Sequence, residues 1–223
     1  MSKKASVIAA AALLALPGLP AFAQSVSGNV TLSSDYVFRG VTQTDGDPAI
    51  QAGIDLDEGA FYAGAWVSNV DFGDDTDFEL DLYAGWAPQW QGTAFDLGVI
   101  VYTYPGATDA AGDQDFIELH AGTARSYGPV TVDAGLYWTP DFYLEAGAAH
   151  YVDAGASWAF SDTVSIDLRA GYSRFDDNSN ANYTDYQLGM TASHLGLDWD
   201  VRWHDSEIDE GRLVLSVGRS FGG

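Results

Sequence analysis

The sequence predicts an all-β protein, specifically an antiparallel transmembrane β-barrel of about 12 strands. Two observations lead to this prediction. Apolar residues occupy every second position in segments roughly ten residues long, and turn-forming residues separate these segments. Because successive side chains of a strand face opposite sides of the sheet, the alternation gives one apolar and one polar wall. A closed sheet with lipid outside and a polar lumen inside has this pattern.

The segment from residue 78 to 86 shows the alternation most clearly. One face carries Phe78, Leu80, Leu82, Ala84 and Trp86. The other face carries Glu79, Asp81, Tyr83 and Gly85. We expect the first set to face lipid and the second to face the lumen.

The candidate strands lie near residues 26–39, 48–57, 60–69, 78–87, 93–103, 115–125, 130–139, 143–158, 164–173, 183–193, 197–204 and 212–221. The connections alternate between short turns and longer loops rich in Asp, Asn and Gly, with the brief Pro140-Asp141 as an exception. Short periplasmic turns and long extracellular loops are typical of outer-membrane barrels. A soluble antiparallel sandwich would use the same alternation for its core and remains the alternative.

The first residues have the layout of a secretory signal peptide. Lys3 and Lys4 precede an apolar run from Val7 to Leu16, and Ala21-Phe22-Ala23 forms an A-x-A cleavage site. We therefore expect residues 1–23 to be a signal peptide and residues 24–223 to form the barrel. The predicted location is the bacterial outer membrane, with membrane lipid and lipopolysaccharide as neighbours.

Composition excludes several functions. The chain has 32 Asp plus Glu against nine Lys plus Arg, and a net charge of −23. A chain this acidic is a poor partner for nucleic acid, whose phosphates need positive charge. It also has no cysteine, which excludes thiol catalysis and zinc–thiolate sites.

The predicted inner wall is strongly acidic. Its carboxylates are Asp55, Asp57, Glu79, Asp81, Asp96, Glu118, Asp133, Asp153, Asp167, Asp198 and Asp200, and its counter-charges are Arg169 and Arg202. Unpaired carboxylates are costly in a dry interior, so these residues favour a hydrated lumen that concentrates cations. In the alternative interpretation the carboxylates pair with arginine and with Tyr62, Tyr83 and Tyr102, and the lumen is filled.

We therefore expect a passive channel for small solutes that favours cations and needs no cofactor. The candidate selectivity residues are Glu79, Asp81, Asp96, Glu118, Asp133 and Asp167, with Arg169 and Arg202 supplying a weak transverse field. The alternative function is a structural or surface-interaction barrel whose acidic loops bind divalent cations.

An enzyme is the third possibility, since Ser193-His194 and His204-Asp205-Ser206 contain residue types used in hydrolysis. Adjacent residues of a strand point to opposite faces, so neither cluster forms a triad by itself. The acidic loops offer oxygen ligands but lack the spacing of an EF-hand. We predict neither catalysis nor a dedicated metal site.

The segment from Ser34 to Gln43 resembles the opening motif of the TorF family of porin-like outer-membrane proteins, also called the Gcw_chp family. The motif residues are Asp35, Tyr36, Phe38, Arg39, Gly40 and Gln43. Further blocks follow in the family's order: 48–53, 61–64, 68–72, 79–85, 102–106 and 183–186. The resemblance implies an outer-membrane protein of unknown role, with porin activity inferred.

Asp35 and Arg39 fall near the extracellular end of the predicted first strand. An ion pair between them, or with loop carboxylates, would fix the first loop. The functional alternative is a charged constriction in which Arg39 faces the acidic wall.

Overall fold

A computed structural model describes residues 24–107 and 113–222, so the expected signal peptide lies outside the described residues. The strands are β1 Gln24–Ser33, β2 Val37–Phe38, β3 Val41–Thr42, β4 Ala49–Glu58, β5 Phe61–Asn69, β6 Phe78–Trp86, β7 Gln89–Trp90, β8 Thr93–Thr103, β9 Phe116–Tyr127, β10 Val130–Thr139, β11 Ala149–Ala159, β12 Val164–Phe175, β13 Tyr183–His194, β14 Leu197–Ser206 and β15 Arg212–Gly222. Short 3₁₀ turns cover Tyr143–Glu145 and Ser179–Ala181. Within the described ranges, no helix is long and apolar enough to cross a bilayer.

Twelve strands close into a single antiparallel barrel. β1 pairs with both β4 and β15, while β6 pairs with β5 and β8, so the ring has no free edge. The remaining three strands are short. β7 pairs with the first residues of β8 in the turn between β6 and β8, and β2 and β3 form a separate hairpin. Closure satisfies the backbone hydrogen bonds that lipid cannot, and the predicted fold class is confirmed.

Two predicted strands were too long. The first ends at Ser33 rather than near residue 39, because residues 34–48 turn into the barrel. The eighth begins at Ala149 rather than near residue 143, since Leu144 and Glu145 have φ angles of 59° and 57° that an extended strand does not allow. Residues 140–148 are therefore an extracellular loop. Pro140-Asp141 is part of this longer loop and is no exception to the alternation of short turns and long loops.

The outer face carries a band of exposed apolar side chains. Ile50, Leu82 and Leu168 expose 62%, 50% and 58% of their surface to the surroundings of the barrel. Aromatic side chains lie at both ends of the band, among them Phe61, Trp86, Trp158 and Phe221 at the short-turn end and Trp138 and Tyr172 at the other. An apolar band of this extent between two aromatic girdles is a surface for lipid.

The inner face pairs large polar residues with glycines across the strands. Such pairs are Tyr62 with Gly85, Tyr83 with Gly64, His120 with Gly98, Arg169 with Gly155 and Arg202 with Gly189. Each glycine leaves room for the neighbouring side chain to lie flat against the wall. The lumen therefore keeps space that bulkier pairs would fill.

We expect Gly64→Ala to destabilise the barrel by about 1–3 kcal/mol. A Cβ atom at Gly64 would lie 2.5 Å from Cζ and the hydroxyl of Tyr83, which cannot shift without losing its hydrogen bond to Asp55. Gly122→Ala is the matched control, because its nearest neighbour, the Cβ of Asp96, is 3.7 Å away. Urea unfolding in lipid vesicles would compare them, and equal loss in both variants would contradict this packing argument.

Candidate functional site

Residues 34–48, here called the plug segment, fold into the extracellular half of the lumen. Within the segment, β2 and β3 form a hairpin whose two-residue turn is Arg39 and Gly40, with φ angles of 48° and 78°. The backbone N–H of Gln43 donates to the carbonyl of Tyr36 at 2.6 Å and closes the base of the hairpin. The turn residues lie at the tip of the hairpin, where Arg39 contacts Glu118 of β9 and Gly40 contacts Ser206 of β14.

The base of the plug segment is anchored by two carboxylates. Buried Asp35 accepts hydrogen bonds from the hydroxyls of Thr42 and Thr44, at 2.7 and 2.8 Å, and from Arg212 at 2.9 Å. Asp209 accepts from the backbone N–H of Thr42 and from the same arginine. Partial burial raises the pKa of Asp209, but these donors outweigh it and hold the pKa below its usual value.

The tip carries the Arg39 guanidinium to the opposite wall. One of its nitrogens donates to both carboxylate oxygens of Glu118, at 2.8 and 2.9 Å. Its central carbon lies 4.1 Å from the ring centroid of Tyr151, 4.7 Å from that of Phe38 and 5.1 Å from that of Tyr137. Burial lowers the pKa of Arg39, but Glu118 outweighs burial and raises the pKa, so the group stays charged.

The rest of the hairpin contacts the walls on either side of Arg39. The hydroxyl of Tyr36 donates to Glu79 at 3.1 Å, and its ring meets that of Trp66 edge-on. The ring of Phe38 lies 6.0 Å from that of Tyr102, while Ser206 donates to the carbonyl of Gly40. These contacts reach strands all around the barrel, so the segment lies across the lumen.

Below the plug segment, carboxylates of one wall accept from tyrosines. The hydroxyl of Tyr83 donates to Asp55 at 2.5 Å, and that of Tyr62 donates to Asp96 at 2.8 Å. The side chain of Asp96 is 44% exposed although it points inward, so water reaches it through the lumen. Both carboxylates of this wall thus accept hydrogen bonds from neutral hydroxyls, and Asp96 Oδ1 also lies 3.4 Å from Nε2 of His120.

The opposite wall carries a ladder of arginine–aspartate bonds. Arg169 bridges Asp133 and Asp153. Arg202 donates to Asp167 at 2.6 and 3.0 Å and to Asp200 at 3.0 Å. This wall also has more carboxylates than cations, because four carboxylates share two arginines. The arginines are tied to carboxylates of their own wall, and the expected transverse field stays a prediction.

The eight candidate selectivity residues all face the barrel interior, at two levels. Glu79, Asp81 and Glu118 are buried around the plug segment, while Asp96, Asp133, Asp167, Arg169 and Arg202 lie in the more open half below it. Asp81 is only 7% exposed, and its Oδ1 has no hydrogen-bond partner among the described residues.

The expected ion pair between Asp35 and Arg39 is not formed, since Asp35 binds Arg212 and Arg39 binds Glu118. Sequence reasoning also missed Arg212, Asp185 and Tyr151 as lumen residues. Arg212 precedes outward Leu213, Asp185 precedes outward Tyr186, and Tyr151 precedes outward Val152. This alternation could have placed Arg212 and Asp185 in the lumen.

The residues considered for catalysis and metal binding do not come together. His194 is exposed at the short-turn end of β13, whereas His204 is buried near the extracellular end of β14. The acidic residues Asp47, Asp71, Asp74 and Asp77 line a cleft of about 750 Å³ at the extracellular mouth. In the described ranges, no group of three or more His, Cys, Asp or Glu is arranged to hold a metal ion.

A family model, Gcw_chp, described as a bacterial protein of unknown function, matches residues 19–219. The chain belongs to the Gcw_chp family. No curated protein is significantly similar to it in sequence. The narrower TorF name stays a prediction.

Solved structures with a similar fold include outer-membrane channels. The KdgM porin superposes with a TM-score of 0.60 at 8% identity, covering 88% of this chain and 99% of that one. An outer-membrane channel from Pseudomonas putida F1 superposes with a TM-score of 0.54 at 10% identity, covering 92% and 97%. At these identities the likeness concerns the fold. Together with the lipid-facing band, it makes this Gcw_chp protein an outer-membrane β-barrel with a porin-like fold.

Proposed function

We propose that this Gcw_chp barrel is a channel for passive diffusion of small solutes that favours cations. The observation that carries the proposal is the charge of the inner wall below the plug segment. Asp55 and Asp96 accept hydrogen bonds from the neutral hydroxyls of Tyr83 and Tyr62, and the arginines opposite are each shared between two carboxylates. A lumen with excess negative charge concentrates cations and repels anions.

The shape of the lumen supports a narrow pathway. Its lower half is lined by small residues such as Gly122, Ala124, Ser157 and Thr191 between the charged ones. Its upper half is narrowed by the plug segment, where Glu79 and Glu118 are 2% and 1% exposed. We therefore expect a low basal conductance with selectivity set by the lower, hydrated carboxylates.

The test is the reversal potential of the refolded chain in a planar bilayer under a salt gradient. We expect wild type to be cation-selective, and Asp55→Asn with Asp96→Asn to move the reversal potential toward zero. Asparagine keeps the acceptor oxygen for Tyr83 and Tyr62, so the change removes charge with little change of shape. Asp81 and Asp133 are also candidate selectivity residues from the sequence, but they suit this test less well, because Asp81 is buried beside the plug segment and Asp133 is bound to Arg169.

Asp162→Asn is the matched control, because it removes an exposed carboxylate from a turn outside the lumen. It should leave the reversal potential close to that of wild type. Unchanged selectivity in the Asp55/Asp96 double variant would exclude these carboxylates from the pathway.

The burial of the upper carboxylates favours a second candidate, a structural barrel with a filled lumen. Glu79 and Glu118 accept hydrogen bonds from Tyr36, Tyr102 and Arg39, as a permanently closed interior would require. In that case the acidic mouth would meet divalent cations and lipopolysaccharide at the cell surface. A correctly inserted but electrically silent barrel would favour this second function.

A further inference from the structure

The turn that carries Arg39 is unusual for an arginine. Two-residue hairpin turns with positive φ at both positions favour Asn-Gly, because most side chains are strained there. Here the glycine is present as Gly40, but the first position is Arg39 with a φ of 48°. A strained backbone at a site of dense contacts indicates that the side chain has a role.

The barrel wall provides a receptor for that side chain. Glu118 is held by the hydroxyl of Tyr102 at 3.3 Å and accepts two hydrogen bonds from Arg39. The rings of Tyr137 and Tyr151 add two aromatic surfaces within 5.1 Å of the guanidinium carbon. A carboxylate beside aromatic faces suits a planar, weakly hydrated cation better than a strongly hydrated one such as Na⁺.

We propose that Glu118, Tyr102, Tyr137 and Tyr151, here called the guanidinium cage, form a solute-binding site for small molecules bearing a guanidinium group. Arg39 occupies the cage as a tethered analogue of that solute while the plug segment is in place. This inference rests on the proposed function and gives the channel a substrate class. In this arrangement, Arg39 of the plug segment and the solute compete for the same cage.

Because Glu118 is buried, the release of Arg39 from the cage is coupled to the binding of another cation. Glu118 is 1% exposed, and in the described part of the chain its cationic partner is Arg39. Removing one partner of a buried ion pair is strongly destabilising. The plug segment therefore leaves readily only when another cation takes the place of Arg39. A solute that reproduces the hydrogen bonds and the stacking would favour the open arrangement, whereas a cation without that geometry would not.

The experiment is calorimetric titration of methylguanidinium into the refolded Arg39→Ala variant in detergent, at constant ionic strength. We expect binding at millimolar concentration, at least tenfold weaker binding when Glu118→Gln is added, and at least tenfold weaker binding of methylammonium to Arg39→Ala. Wild type, whose cage is occupied, should bind weakly. Equal heats for all three proteins, or for both ligands, would overturn the inference.

Two further measurements keep the result interpretable. If Arg39→Ala does not refold, Arg39→Gln removes the charge while keeping a polar side chain, and the same titration applies. Bilayer currents separate the two proposals. Methylguanidinium binding by a silent barrel would support the cage and overturn the channel. A conducting Arg39 variant that does not respond to methylguanidinium would retain the channel and overturn the cage.

Discussion

Removing residues 37–42 is expected to raise the single-channel conductance of the refolded barrel severalfold. These residues form the hairpin that crosses the upper lumen and carries Phe38, Arg39 and Gly40. The backbone is readily rejoined, since Tyr36 and Gln43 are already joined by a backbone hydrogen bond of 2.6 Å and a Gly-Ser link can replace the hairpin. Glu118→Gln accompanies the deletion, because this buried carboxylate would otherwise lose Arg39. Conductance in a planar bilayer at fixed salt measures the effect.

The control for this deletion removes residues 178–181 from the extracellular loop between β12 and β13. Among the described residues, the backbone hydrogen bonds of that stretch stay within its own loop and none reaches the plug segment, so its loss should leave conductance near the wild-type value. If the hairpin deletion conducts no more than wild type while remaining folded, the plug segment does not limit the pathway.

The second large effect is expected from Arg169→Gln, which leaves Asp133 and Asp153 without their shared cation. Asp153 is almost completely buried, so its unpaired charge would destabilise the barrel. Arg169 and Asp133 are 31% and 26% exposed, and water reduces the loss to the order of 2 kcal/mol. Urea unfolding of the barrel in lipid vesicles, followed by tryptophan fluorescence, gives the free energy of unfolding.

Two variants test whether charge is the cause. Adding Asp133→Asn and Asp153→Asn to Arg169→Gln removes the stranded carboxylates and should restore most of the stability. Arg174→Gln removes an arginine that is 62% exposed and 3.2 Å from Asp176, a surface pair expected to contribute less than about 0.5 kcal/mol. If the triple variant is no more stable than Arg169→Gln, the loss would be due to packing rather than to charge.

The direction of the barrel side chains followed from local pattern alone. Phe78, Leu82 and Trp86 face outward, and Glu79 and Asp81 face inward, as the alternation predicted. A period of two residues is a property of any strand, and the alternation of short turns with long loops favoured a membrane barrel over a sandwich with the same period. The fold class and the acidic inner wall could therefore be predicted without knowing a single contact.

The plug segment could not be predicted in the same way. Tyr36 and Phe38 continue the alternation of β1, so the local pattern gave no reason to end that strand at Ser33. What ends it is a set of contacts distant in sequence, including Asp35 with Arg212 and Arg39 with Glu118. The spacing of apolar residues along one strand carries no information about contacts between residues that are distant in the sequence.

The amino-acid sequence was enough to predict an acidic barrel with a lipid-facing outer wall and most of the residues that line its lumen, because strand period and composition specify which side chains meet lipid and which meet water. The three-dimensional structure was needed to show which carboxylates are paired, which are hydrated and that Arg39 crosses the lumen. Those outcomes depend on barrel closure, which brings residues from distant strands within hydrogen-bonding distance.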